Sequence, residues 1–481
     1  VKALVVITSG FAEVGAAGRA LQQQLLENVR GYGMRLVGPN CMGLMNTAPD
    51  VQLNASFSPV FPPPGRVAMS SQSGALGLAI VALARRLHLG LSTFVSVGNK
   101  ADVSGNDLLQ YWEEDDETEV ILLYLESFGN PRRFSRIARR VSRRKPIVAV
   151  KGGRTQAGRR AAGSHTAALA ASDVAMAALF RQTGVIRADT LEEMFDLASA
   201  LESQPLPVGR RVGVVTNAGG PGILCADACE AGGLLVPALS DALKARLAAF
   251  LPASASLQNP VDMIASASPD HYRQTIETVL ASDEIDALII IHIPVGMFAQ
   301  DATLAAIRAG VTAGRLAGGI SKPVLACLMV GEGDRSPLQL EQEQIPTYAF
   351  PEAAARVLSK VAEYAEWRAQ PLGMFLEFDD IKTHDAREIC RRSLTERGDG
   401  WLATEETRQV LRAMGLPLAP GGVARTADEA VELARSLGFP VVVKLASHQI
   451  LHKTELGAVF LQLPDEAAVR CAFDTIRNHL A

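Results

Sequence analysis

The chain runs to 481 residues, too many for one ordinary core and enough for about three domains at roughly 150 residues each. Its 47 Lys plus Arg against 51 Asp plus Glu leave a formal charge of −4, which excludes a protein that binds nucleic acid mainly through its overall charge. A 48% hydrophobic content with only 5% aromatic residues and 41 Gly points to aliphatic sheets covered by helices and joined by tight turns, an α/β chain.

In chain order, residues 3–7 read as a strand, 16–32 as a helix, 35–37 as a second strand and GPNCMG, 38–43, as a turn. This is half of a doubly wound domain, residues 1–57. SPVFPPPG, 58–65, holds four prolines in eight residues and serves as a linker. Aliphatic strands follow at 67–71, 91–98, 120–127 and 146–153, separated by helical stretches such as 75–87 and 132–143. That alternation implies a parallel sheet within residues 66–204. A second proline-containing break, QPLPVG, precedes another α/β unit over 208–370, with strands at 287–294 and 322–329. The polar, charge-mixed stretch 371–400 is expected to be a connector, with room for a surface helix. The final unit, 401–481, has a helix at 405–414, a strand at 439–446 and a helix at 465–479, too few elements to close a domain.

Both ends look cut, because the chain opens on Val1 beside a ready-made strand and closes on Ala481 just after a helical pattern; a fragment of a longer protein is expected. The six Cys, at 41, 225, 229, 327, 390 and 471, form no CxxC pair, so reduced thiols and a cytoplasmic location are expected. The apolar run 287–298 is broken by His292 and Pro294 and is too short to span a bilayer, so no membrane partner is expected.

Two loops follow a buried-type strand and open a helix: SSQSGALGLAI, 70–80, and TNAGGPGILCADA, 216–228. At such a helix N-terminus, unpaired amides and the positive end of the macrodipole converge, so a phosphate can be held without a lysine. The plainer reading makes Ser73 an N-cap and the glycines turn residues. Between the loops lies AAGSHTAALAASD, where His165 is either an ordinary loop residue or a catalytic one. Glu126, ending a strand at the ligand-binding edge of a parallel sheet, either orients an imidazole or is a solvated strand-end carboxylate. Asn99, Lys100 and Asp102 shape a pocket or build a polar turn at that same edge. Near the C-terminus, Lys444 on a strand meets nucleotide phosphates or discourages edge pairing, and His452 lies beside Lys453.

Taken together and in this order, GPNCMG, SSQSGALG, SVGNKADV, YLES, AGSHTAALA, TNAGGPG and VVVKLASHQILHKTELGAV closely resemble the ADP-forming acyl-CoA synthetases. These are single-chain relatives of succinyl-CoA synthetase and ADP-forming acetyl-CoA synthetase, and the resemblance covers nearly the whole chain. It implies a partial Rossmann-like CoA-binding domain at 1–57, flavodoxin-like ligase domains at 66–204 and 208–370, a connector at 371–400 and the start of an ATP-grasp domain at 401–481. Carried over, His165 is the histidine phosphorylated in turnover and Glu126 the acid that steadies it. Ser71, Gln72, Ser73 and Gly74, with Asn217, Gly219, Gly220 and Gly222, would hold the phosphate. Asn40 and Cys41 would lie near the CoA thiol and acyl group, His452 would relay phosphate at the nucleotide site, and Lys444 would bind ATP phosphates.

The resemblance also implies CoA, ATP/ADP and Mg²⁺, with the Mg²⁺ ligands unassigned, a small carboxylic acid as substrate, and a homo-oligomer. The expected reaction forms acyl-CoA from acid, CoA and ATP, releasing ADP and phosphate through phosphohistidine and acyl phosphate. The chain departs from the family by lacking the first strand and glycine loop of the CoA domain and most of ATP-grasp, so this fragment alone is expected to be limited in turnover. The alternative is the acyl-CoA-binding regulatory region of a protein lysine acetyltransferase. His165 in its SHT setting, with Glu126, favours the ligase.

Overall fold

The computed structural model describes residues 1–481 except 156, 159, 161–172, 296–298, 320, 330–334, 342, 374–377, 448–452, 455, 480 and 481. It divides into two units, Val1–Gln370 and Pro371–Ala481. The α/β class expected from composition is the one observed.

The first unit opens with parallel strands β1 (Ala3–Val5) and β2 (Arg35–Val37), joined by the helix Ala16–Gly31. Strands β3 (Gly43–Asn46) and β4 (Leu53–Ser56) form an antiparallel pair. They belong to a seven-stranded sheet with β5 (Pro64–Ser71), β6 (Leu91–Ser96), β7 (Val120–Leu125), β8 (Ile147–Lys151) and β9 (Ile186–Ala188), in the order β4-β3-β6-β5-β7-β8-β9. Residues 43–56 therefore hydrogen-bond into the sheet that begins beyond the proline stretch, with Leu44 opposite Val95, rather than remaining with β1 and β2. The physical reason is burial: Met42 and Met45 are fully buried in the sheet's core beside Phe94.

From β6 to β9 the strands are parallel, and their aliphatic runs are covered on both faces, as such sheets require. Alternate residues divide between two cores. Val67, Met69, Leu122 and Val148 face one side, and Ala68, Ile121, Leu123 and Ala149 face the other with Trp112, Phe134 and Phe180. Trp112 is fully buried, and its indole N–H donates to Thr93 Oγ1 at 2.7 Å, which satisfies its one polar group. The helices between strands start on recognisable caps, Ser104 with Asp107 before Gly105–Glu114, and Asn130 with Pro131 before Pro131–Val141.

The second sheet contains β10 (Val212–Thr216), β11 (Val261–Asp262), β12 (Ala287–His292) and β13 (Val324–Leu328). A small antiparallel pair, β14 (Leu338–Gln339) and β15 (Gln344–Ile345), precedes the last strand, β16 (Thr347–Tyr348). The order is β11-β10-β12-β13-β16, all parallel. One hydrophobic core runs from the first sheet through Met194, Phe195 and Leu358 to Val214 and Ile289 of the second. Both parallel sheets place their second strand beside the first and then continue on the first strand's other side. Strand order thus reverses at β5/β7 and at β10/β12, the places where open α/β sheets leave a crevice.

In the second unit, β17 (Val441–Lys444) pairs antiparallel with β18 (Val459–Leu463). The helices Ala427–Leu437 and Glu466–His479 pack there, with Ala430, Val431, Ala434 and Val469 as the core. The stretch expected as a connector contains the helix Thr383–Arg397, with Ala386 and Ser393 as its buried residues.

Candidate functional site

At the end of β5 the chain makes a short turn into the helix Gly74–Arg86. Ser71 Oγ donates to the Ser73 carbonyl at 2.8 Å and accepts the Ser73 N–H at 3.2 Å. Ser73 Oγ then accepts the Leu76 N–H at 3.4 Å, so the N-cap reading of Ser73 holds geometrically. Gln72 turns to the neighbouring strand. Its side-chain oxygen accepts the N–H groups of Glu126 and Ser127, each at 2.8 Å, and its amide nitrogen donates to the Ser127 carbonyl at 2.7 Å. The Gln72 side chain is thereby committed to holding the strand end that bears Glu126.

Glu126 is exposed at this edge, and two lysines sit near it. Lys100 Nζ donates to Ser127 Oγ at 2.7 Å, and Lys151 Nζ donates to the Gly152 carbonyl. Burial pushes both ammonium groups below the usual lysine pKa, while the charge of Glu126 pulls each back up. Burial, reinforced by Glu126, raises the Tyr124 phenol. Two cations and one carboxylate thus share one sheet edge with a helix N-terminus, an arrangement suited to an anion of more than one charge.

The turn that follows β2 packs against this edge. A Cβ on Gly74 would lie 3.3 Å from the Met42 nitrogen and 3.6 Å from the Cys41 carbonyl carbon, so the helix begins directly against Cys41. Asn40 has a left-handed backbone, φ 55°, and its amide donates to Asn99 Oδ1 at 3.3 Å. Asn99 in turn donates to Glu13 Oε2 at 2.5 Å and Gln22 Oε1 at 3.0 Å. Burial works to raise the Glu13 carboxyl pKa, but hydrogen bonds from Asn99 and from the backbone prevail and lower it. Asp102 accepts from Arg30 at 3.1 Å, Arg35 at 2.8 Å and the Leu36 N–H at 3.0 Å, which fastens the turn to β2. The Cys41 thiol is 3% exposed and points to the Val6 carbonyl at 3.4 Å; burial raises its pKa, so it is a neutral thiol rather than a nucleophile.

At the end of β10 the same turn recurs. Thr216 Oγ1 donates to the Ala218 carbonyl at 2.9 Å and accepts the Ala218 N–H at 3.1 Å. Asn217, 2% exposed, accepts the Ile293 N–H at 3.0 Å and donates to the Ile293 carbonyl at 2.8 Å. The helix Gly219–Ala231 opens with Gly219 and Gly220 exposed, and Gly222 allows close approach, since a Cβ there would lie 3.1 Å from Thr216 Cγ2. Beside it, Tyr272 and His292 form a buried pair at 3.0 Å between Oη and Nδ1, and burial lowers the His292 pKa.

In the second unit Lys444 is exposed at the end of β17, opposite Val459. His165 and His452 lie outside the described residues. Among the described residues, no group of three His, Cys, Asp or Glu is placed to hold a metal ion, and no helix is long and apolar enough to cross a membrane. Sequence reasoning passed over Lys151 and Ser127. The available signal for Lys151 was a lysine closing an apolar strand before Gly-Gly, next to the strand that bears Glu126.

Residues 64–201 match the succinyl-CoA ligase like flavodoxin domain, 212–370 the Ligase-CoA domain, and 393–481 the ATP-grasp domain. The ADP-forming acetate–CoA ligase I of Archaeoglobus fulgidus is 37% identical over 99% of this chain and 67% of its own length. The ADP-forming 4-hydroxybutyrate–CoA ligase of Nitrosopumilus maritimus is 35% identical, again over 99% of this chain and 67% of its own. This chain thus spans about two thirds of those relatives. The solved structure of the dinucleotide-forming acetyl-coenzyme A synthetase 1 of Ca. Korarchaeum cryptofilum, in complex with phosphate and ADP, is 36% identical and superposes with a TM-score of 0.69 over 76% of this chain and 78% of that one. With that identity running over nearly every residue described above, this chain belongs to the ADP-forming acyl-CoA synthetases, ligases that join a carboxylic acid to CoA.

Proposed function

We propose that the full-length protein makes acyl-CoA from a small carboxylic acid, CoA and ATP, releasing ADP and phosphate, with His165 as phosphoryl carrier and Glu126 as its support. The observation that carries this reading is the Gln72 clasp, which sets Glu126 beside two lysines and a helix N-terminus at the strand-order reversal. A carboxylate resists attack by a thiol until one oxygen becomes a leaving group. In this reading a His452 ring nitrogen attacks the terminal phosphorus of ATP and ADP departs, and a His165 ring nitrogen then attacks that phosphorus, freeing the His452 imidazole. An oxygen of the acid then attacks that phosphorus, freeing the His165 imidazole and leaving an acyl phosphate. CoA sulfur attacks the acyl carbon, and phosphate leaves with the bonding electrons while the thiol proton passes to it.

The residues at hand suit the parts they would play. First-turn amides of the helices Gly74–Arg86 and Gly219–Ala231 lack intrahelical acceptors and favour a phosphoryl group near them. The neutral Cys41 lies against the start of the first of these helices and Asn40, next to it in the chain, is held by Asn99; a CoA thiol and acyl group would meet the phosphate there. Exposed Lys444 would meet nucleotide phosphates as a point charge, with His452 relaying phosphate. Mg²⁺ would accompany the nucleotide and supply neutralisation of phosphate charge, with its ligands unassigned. A cytoplasmic location and a homo-oligomer complete the reading.

The acid is of the kind handled by relatives named for acetate and 4-hydroxybutyrate. The alternative, a regulatory region of an acetyltransferase, is not favoured, since ligases align over 99% of this chain. The test is to incubate the full-length protein with ATP, Mg²⁺, CoA and a panel of short carboxylic acids. Acyl-CoA with matching ADP and phosphate is expected; AMP with pyrophosphate, or bound CoA with no product from any acid, overturns the proposal.

A further inference from the structure

We propose that Lys100, backed by Lys151, is the cationic half of the phosphate site, contacting the transferring phosphoryl group across from Glu126. Four observations converge on it. Lys100 has a left-handed backbone, φ 58°, a conformation an L-residue with a long side chain adopts at a cost, so its surroundings must impose it. They do so from both sides: the Lys100 N–H donates to the Val97 carbonyl at 2.9 Å, Ala101 N–H to Gly38 at 3.1 Å, and Asn99 and Asp102 are tied to the turn after β2 and to its neighbours. The side chain emerges at the edge where Gln72 holds Glu126, and Nζ donates to Ser127 Oγ at 2.7 Å, using one of three donors. Lys151 approaches the same carboxylate from the end of β8.

The fold itself does not call for these charges. The second sheet builds the same turn and a like clasp, yet the residue in Glu126's register beyond the clasped strand is Ile293, the one in Lys151's register is Leu328, and the one in Lys100's register beyond the flanking strand is Ser266. Two lysines against one glutamate leave a net charge of about +1 that adds to the helix N-terminus, complementary to a phosphoryl dianion. This inference rests on the proposed ligase reading, but phosphate binding can be measured apart from ligase turnover.

The experiment compares the full-length wild type with Lys100→Met, Lys100→Arg and Lys151→Met. Inorganic phosphate binding is followed by ³¹P NMR titration, and KM values are measured for phosphate, acyl-CoA and ADP in the reverse direction and for the acid in the forward one. Lys100→Met is expected to weaken phosphate binding and raise the phosphate KM by roughly tenfold or more, with about twofold change for acid and acyl-CoA. Lys100→Arg should retain part of the phosphate affinity, and Lys151→Met should show a smaller loss of the same kind. A folded Lys100→Met protein with unchanged phosphate binding, or one whose acid KM rises while phosphate is unaffected, overturns the assignment. Loss of ligase turnover in the wild type would sink the proposed reaction, whereas Lys100-dependent phosphate binding would still uphold the site.

Discussion

The two sheet edges of the first unit share a frame and differ in charge. Ser71, Gln72 and Ser73 at one edge are matched by Thr216, Asn217 and Ala218 at the other, with the hydroxyl bridging the same two backbone groups and the amide clasping the strand next door. At the first edge the clasped residues include exposed Glu126, flanked by Lys100 and Lys151; at the second the clasp closes on Ile293 and is itself almost fully buried. The frame is therefore a solution to presenting a helix N-terminus at a strand-order reversal, and the places that hold Glu126 and Lys151 in one copy hold Ile293 and Leu328 in the other. Among the described residues the second copy has no lysine in these places, and its helix start stands beside a carboxylate, with Asp262 Oδ2 3.2 Å from where a Cβ on Gly219 would be.

The sharpest way to break this comparison is to remove the added charge. Glu126→Gln is expected to lower kcat for acyl-CoA formation about 10²-fold while leaving the thermal unfolding midpoint near that of the wild type, because the carboxylate is exposed and the clasp uses only backbone groups. Steady-state kinetics with a melting curve check it; an equal loss of activity and stability would show that Glu126 is structural.

Truncating the two clasps should separate them further. Gln72→Ala is expected to lower kcat by roughly tenfold with a small loss of stability, since the freed Glu126 and Ser127 amides lie where water reaches them. Asn217→Ala strands the backbone groups of Ile293 from a nearly buried partner and is expected to cost about 1–3 kcal/mol of stability, with turnover per folded molecule far less affected than in Gln72→Ala. Denaturant unfolding beside kinetics would reveal the crossing pattern, and its inversion would reject the division of labour.

The smallest effect concerns acid stability at the first edge. Burial acts to raise the Asp102 carboxyl pKa, but Arg35, the Leu36 N–H and Arg30 together bring it below the ordinary value. Its stabilisation is therefore present above the unfolded carboxyl pKa, about 3.9, and is lost as pH falls through the lower folded value. Asp102→Asn should be less stable than the wild type at pH 7, and that gap should close towards pH 3; a gap constant with pH would contradict the ion-pair account.

Long aliphatic runs made much of this fold legible in sequence. The strand expected at 120–127 is β7, Val120–Leu125, and the helix expected at 16–32 is Ala16–Gly31, because burial on both faces or a regular apolar stripe imprints itself on neighbouring residues. Strands β3 and β4 were not assignable to their sheet, since each is four residues long and their placement depends on pairing with β6 across the proline stretch. The helix Thr383–Arg397 left little periodicity because it buries so few of its residues. At the site, Glu126 and the SQSG loop were visible as a strand end and a helix start. The clasp between Gln72 and residues 126–127 joins positions 54 and 55 apart in sequence, and only folding brings Lys151 to the same carboxylate.

The most direct test of the account is to expose the full-length protein to [γ-³²P]ATP and Mg²⁺ and locate the acid-labile label by peptide mapping, in the wild type and in His165→Ala. The account predicts label on the peptide containing His165, discharged by carboxylic acid with CoA and absent from the His165→Ala peptide. Label that survives on that peptide in His165→Ala, or a wild type that makes acyl-CoA while that peptide never carries label, would contradict it.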